Sequence, residues 1–126
     1  MLAAAAAAVA TGAAAQAEPD VTHDGRWVAS IRPADGSRQT ARLVLREFGG
    51  EWTGAGGARA VTGDACAGRK LPITVQATTA GALAFTVWGA QISRRCANLT
   101  VETRAVGNDV FEGEIESVGT IRLTRK

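Results

Sequence analysis

The 126-residue chain has one histidine, two cysteines, and 14 Lys+Arg set against 12 Asp+Glu. Each shortage removes a class of function. A Ser-His-Asp or Cys-His catalytic set needs a usable histidine. His23 lies in a polar stretch near the start and is read as a solvated terminal residue. Two cysteines with one distant histidine do not make a zinc site, so neither a metal nor another cofactor is expected. A net charge of +2 is too close to neutral for a nucleic-acid binder. Glu112, Glu114 and Glu116 alternate along one strand face and are read as solvated carboxylates, not as an acid–base pair. The Gly63–Lys70 segment is glycine-rich but lacks the Lys-Ser/Thr ending and the following helix of a phosphate loop. With no catalytic set to name, the expectation is a non-enzymatic protein.

What is present begins with an apolar, alanine-rich run that ends in Ala15-Gln16-Ala17, an A-x-A cleavage pattern followed by Glu18-Pro19. It reads as a secretory signal peptide over residues 1–17, helical because alanine is the best helix former. No Lys or Arg precedes the run, and an alanine-rich helix or low-complexity tail is the alternative reading. The run is too short and too rich in alanine to span a bilayer stably. The expectation is therefore an exported protein, periplasmic or extracellular, with residues 18–126 forming one domain. In an exported chain an even cysteine count argues for a Cys66–Cys96 disulfide; two free thiols are the alternative.

After Pro19 almost nothing has a helical period. Short alternating runs are broken by Gly, Asp and Asn, the pattern of strands joined by tight turns. Trp27, Ala29 and Ile31 alternate with Arg26, Ser30 and Arg32. Ala41, Leu43 and Leu45 alternate with Arg42 and Arg46. Leu71, Ile73, Val75 and Ala77 share a face, as do Leu83, Phe85 and Val87, and then Leu99, Val101 and Thr103. Phe111, Gly113 and Ile115, and finally Ile121 and Leu123, complete the series. The segment from Ala55 to Gly68 is weakly patterned and is read as a short strand plus a loop. Short connections join antiparallel neighbours, so the predicted fold is all-β. An eight-stranded antiparallel up-and-down meander closes into a barrel and so removes its edges. A two-sheet sandwich is the runner-up. In a meander both cysteines fall on one rim, where a disulfide is feasible.

The same topology places Trp27, at the start of the first strand, beside Arg125, at the end of the last. Both share a face with inward residues. An arginine facing inward needs partners, and the Trp27 ring supplies one by a cation–π contact, with backbone carbonyls at the barrel end as the others. Gly25-Arg26-Trp27 with a last-strand arginine across the tryptophan resembles the calycin superfamily: lipocalins, fatty-acid-binding proteins and avidins. The order Gly25-Arg26-Trp27, Asp35-Gly36, Gly49-Gly50, Trp52-Thr53-Gly54 is most similar to the avidin-like opening. In size and compartment the chain also resembles the small secreted barrel inhibitors of bacterial metalloproteases. The resemblance implies a closed barrel with a binding or inhibitory role and gives Gly25, Trp27 and Arg125 the task of closure. The polar biotin contacts of the avidins are not recognisable here.

Two features point to a binding surface. Arg69-Lys70 follows Cys66 and Arg94-Arg95 directly precedes Cys96, so the disulfide gathers four cations on one rim. That rim suits a protein or anionic envelope partner; ordinary solvated loop charge is the other reading. Trp52 and Trp88 lie beside glycines near strand ends, where exposed rings mark contact sites and buried ones cover the barrel ends. The inward set includes small residues (Ala29, Ala41, Val75, Ala77, Val87, Gly113). A hollow barrel would carry a small apolar ligand in a cavity of roughly 300 Å³ or more; a narrow one is filled by its own side chains.

Overall fold

The computed structural model describes residues 19–54 and 61–126. The leader expected over residues 1–17 lies outside them, as do residues 55–60 of the Ala55–Gly68 segment, in which a short strand plus a loop was expected; its described part, residues 61–68, holds a 3-10 turn at Asp64–Cys66 and no strand. The described chain is all-β. Its strands are β1 (Gly25–Pro33), β2 (Gln39–Arg46), β3 (Gly49–Gly54), β4 (Lys70–Thr79), β5 (Ala82–Trp88), β6 (Asn98–Gly107), β7 (Val110–Ile115) and β8 (Gly119–Arg125), with short 3-10 turns at Asp64–Cys66 and Gly89–Gln91. Each strand pairs with the next, and β8 returns to β1 to close the barrel. All eight pairings are antiparallel. This is the predicted meander, and the sandwich is set aside. No helix long and apolar enough to cross a membrane occurs among the described residues.

Alternation fixes which side chains enter the barrel. In β1 Trp27, Ala29 and Ile31 are buried, and in β2 Ala41, Leu43 and Leu45. Register then stacks them: Trp27 opposes Leu43, Leu43 opposes Trp52, and Trp52 opposes Leu71. Large rings sit beside small or branched residues on neighbouring strands, so the narrow interior fills. Trp27, Trp52 and Phe85 have no exposed surface, and Ile31, Leu43, Leu71, Leu99 and Leu123 are each about as deeply buried.

Ala77 is a correction. It does not continue the inward face of Leu71, Ile73 and Val75 but is exposed, and Thr78 is buried in its place. The register of β4 against β5 shifts between Val75 and Ala77. One extra residue in a strand inverts the alternation beyond it, which a strict period of two cannot anticipate. The inversion turns the Thr78 hydroxyl toward Val21, to whose carbonyl it donates, while the Val21 amide donates to the Thr78 carbonyl at 2.9 Å.

Gly113 is inward, as expected, for a reason beyond alternation. It opposes Thr103 across β6 and β7. A Cβ built there would lie 1.8 Å from the Glu102 carbonyl oxygen and 2.7 Å from Thr103 Cα. The two strands approach more closely than any side chain permits, and the obstacle is backbone, which cannot rotate away. Gly113→Ala is expected to destabilise the barrel by about 2–3 kcal/mol through forced strand separation. A chemical-denaturation midpoint unchanged from wild type would refute the close approach.

Candidate functional site

The barrel has two ends of different character. One carries the β2–β3, β4–β5 and β6–β7 turns and the segment preceding β1. The other carries the β1–β2, β3–β4, β5–β6 and β7–β8 connections and both cysteines.

The first end is sealed. The Arg125 guanidinium lies 4.4 Å from the Trp27 ring centroid. Its Nε donates to Asp109 Oδ1 at 2.8 Å, and its Nη1 donates to the Asp24 carbonyl. Gly25 makes this possible: its φ is +130°, and a Cβ would stand 2.7 Å from Arg125 Nη1. Residues 19–24 form a strap across the same end. The Trp27 indole N–H donates to the His23 carbonyl at 2.9 Å, and His23 Nε2 donates to the Thr79 carbonyl at 2.7 Å. The imidazole meets the Phe111 ring edge-on, with centroids 4.8 Å apart. His23 is thus not a solvated terminal residue. It is half-buried, because the strap folds back over the aromatic cluster that Trp27 and Phe111 present. Sequence reasoning missed it, since a polar hexapeptide carries no periodic signal.

The second end holds the residues singled out for binding. Cys66 and Cys96 form a disulfide with a Cα–Cα distance of 5.9 Å, and both are buried. The bond joins the β3–β4 and β5–β6 connections, which are further tied by the Ala97 amide donating to the Thr62 carbonyl at 2.9 Å. Such a bond is compatible with an oxidising location. Arg69, Lys70, Arg94 and Arg95 are all exposed. The ion pairs among the described residues, Arg122–Glu112 and Arg125–Asp109, involve none of them.

The two remaining tryptophans part company. Trp52 is fully buried, so it is not an exposed contact residue; its partners across the sheet are Leu43 and Leu71, and its ring centroid is 6.5 Å from that of Phe85. Its Nε1 has no hydrogen-bond partner among the described residues. Trp88 is outward, as parity requires, but half-buried: it lies along the outer wall with its N–H donating to Thr74 Oγ1 at 2.8 Å. An interior opening lined by Ile31, Ala41, Trp52, Val61 and Thr62 measures only about 10 Å³. An internal carrier would call for roughly 300 Å³.

The outer walls show what sequence reading missed, a segregation of charge hidden by the near-neutral total. On β1 to β4 the outward set includes Arg26, Arg42, Arg46 and Lys70, with Lys126 beside Arg26 and only Glu51 opposing them. Arg26, Arg42, Lys70 and Lys126, without Arg46, frame a groove of about 310 Å³ whose floor includes Val44, Thr53 and the single carboxylate Glu51. On the wall formed by β5 to β7, Glu102 stands directly opposite Glu114, with Glu112 and Glu116 nearby, around a groove of about 550 Å³. Like charges placed opposite each other repel; the cations here are Arg104, opposite Glu112 on β6 and lining the same groove, and Arg122, which pairs with Glu112 at 2.8 Å, so acidic groups still outnumber basic ones on this wall. The outward parity of Arg26, Arg42 and Arg46 is visible in the sequence. That Lys70 and Lys126 join them follows only from strand order.

The class defined by this geometry is a closed, eight-stranded antiparallel barrel with one sealed end and one cross-linked rim, an architecture consistent with calycin-like barrels in general. No protein-family model, curated protein or solved structure was found to match the chain.

Proposed function

We propose that the protein is an exported, non-enzymatic binding or inhibitory module that contacts a protein or an anionic envelope component through the rim at its disulfide end. The observation that carries this reading is the set Arg69, Lys70, Arg94 and Arg95, exposed and outside the ion pairs of the described residues, on loops held by the Cys66–Cys96 bond. Cations left without carboxylate partners raise the local potential and steer anionic surfaces toward them. Fixing the loops before contact lowers the ordering cost of association. Trp88 contributes as a half-buried ring near the rim whose N–H is already satisfied by Thr74, so contact with a partner leaves no donor stranded. Trp52 serves the barrel interior instead.

The test compares wild type with Arg94→Ala/Arg95→Ala for cosedimentation with isolated cell envelopes at low and physiological salt. Removing two exposed cations from the contact is expected to weaken binding about tenfold or more at low salt, with the difference narrowing as salt screens the charges. Equal binding by the two proteins would remove the rim from the contact surface.

A further inference from the structure

The basic groove on the outer wall is a second cationic surface adjoining the rim, with Lys70 at the boundary of the two. We infer that this groove binds a linear polyanion, a flexible chain bearing repeated phosphate or carboxylate groups, lying across β1 to β4. The inference shares with the rim reading only the anionic character of a partner; it concerns a different face of the barrel and is tested separately from the rim.

Register supplies the geometry. Arg42, Thr53 and Lys70 are successive cross-strand partners on β2, β3 and β4. With strands about 4.8 Å apart, the backbones of Arg42 and Lys70 stand about 10 Å apart on either side of Thr53. Arg26 pairs with Val44, one outward step along β2 from Arg42, so it continues the line diagonally. Lys126 extends it at the Arg26 end, where its backbone N–H donates a hydrogen bond to the Arg26 carbonyl at 2.9 Å. The result is a line of four cations crossing four strand pairings, with a groove of about 310 Å³ between the side chains and Glu51 as the one carboxylate lining it. None of these cations takes part in the ion pairs of the described residues. Four positive groups held at intervals match a chain of charges better than a single anion, which could neutralise one or two of them.

The fold narrows the partner further. Every strand has two hydrogen-bonded neighbours, so an acidic peptide has no free edge to extend as an added strand. The wall is convex, and among the described residues of strands β1 to β4 Val44 is the one large apolar residue exposed to a third or more, with Phe48 at the far turn between β2 and β3, a poor match for a flat lipid surface. The acidic wall on β5 to β7 gives the barrel a transverse polarity. A polyanion is drawn to one side and repelled from the other, so it meets the groove in one orientation.

The test is binding of long-chain inorganic polyphosphate to the purified protein across a salt series, with orthophosphate and phosphatidylglycerol vesicles as comparison probes. A polyanion that displaces counterions at each cation gives a salt slope close to the number of contacts, and each cation removed lowers it by about one. Arg42→Ala and Arg26→Ala are each expected to weaken polyphosphate binding several-fold at low salt and to reduce the slope. Both side chains are exposed, and circular dichroism verifies that each variant keeps the fold. Arg94→Ala/Arg95→Ala, on the rim, is expected to keep the wild-type slope. Loss confined to the rim variant would overturn the groove while leaving the rim reading intact. Binding to vesicles but not to polyphosphate, equal affinity for orthophosphate, or no binding at all would each overturn the polymer assignment.

Discussion

Trp27→Ala is expected to cost about 3–5 kcal/mol, the range for emptying a fully buried aromatic site, because β7, β8 and the strap before β1 all converge on that ring. Its faces and edges meet the Arg125 guanidinium at 4.4 Å, the Phe111 ring at 5.7 Å and the His23 imidazole at 6.4 Å between centroids. Its N–H holds the strap through the His23 carbonyl at 2.9 Å. Removing the indole leaves a cavity at the sealed end, an arginine with one partner fewer, and a strap with no anchor at its centre. A single domain of this size has a total stability of about 5–15 kcal/mol, so the variant should melt more than about 10 °C below wild type. Two milder variants separate the contributions. Trp27→Phe keeps most of the volume but leaves the His23 carbonyl without its donor. Trp52→Phe deletes an N–H that has no partner among the described residues. The Trp27 variant is therefore expected to be the less stable of the two by about 1–2 kcal/mol. Equal denaturation midpoints would mean that the strap bond contributes nothing.

Loss of the Cys66–Cys96 bond is the second large effect. The sequence separation is 30 residues, and the chain-entropy argument gives about 3–4 kcal/mol for a loop of that length. The Cys66→Ser/Cys96→Ser variant should therefore lose a large fraction of its stability, and reduction of wild type should have the same effect. The consequence is also local. The bond closes the rim, and without it the β3–β4 and β5–β6 connections are tied mainly by the Ala97–Thr62 backbone bond. Amide exchange at Ala97 should accelerate strongly on reduction, while Val21 at the sealed end keeps protection relative to global unfolding. If both ends lose protection equally, the disulfide acts only on global stability and does not fix the rim.

The two ends differ in how much the sequence reveals. Strand count, antiparallel meander, barrel closure and the shared rim of Cys66 and Cys96 are legible because alternation of period two and turn residues are local properties, and short loops leave few topologies. The apposition of Trp27 and Arg125 follows from closure alone. Three features resist that logic. Ala77 turns outward because a register shift inside β4 depends on how β5 fits against it. His23 becomes a structural residue because the aromatic cluster it covers exists only after Trp27 and Phe111 meet. Trp52 is buried, despite its neighbouring glycines, because Leu43 and Leu71 flank it across the sheet.

By itself, then, the sequence determined an all-β chain with a closed, up-and-down order of strands and a disulfide on one rim, since each is a consequence of local alternation, turn chemistry and cysteine placement. Only the tertiary structure decided where the charge lies. Arg26 and Lys126 are 100 positions apart, yet the closure of β8 onto β1 sets them side by side. Lys70 reaches Arg42 through two strand pairings. Electrostatic potential adds over distance in space, not along the chain, so a net charge of +2 conceals two walls of opposite sign until the barrel closes.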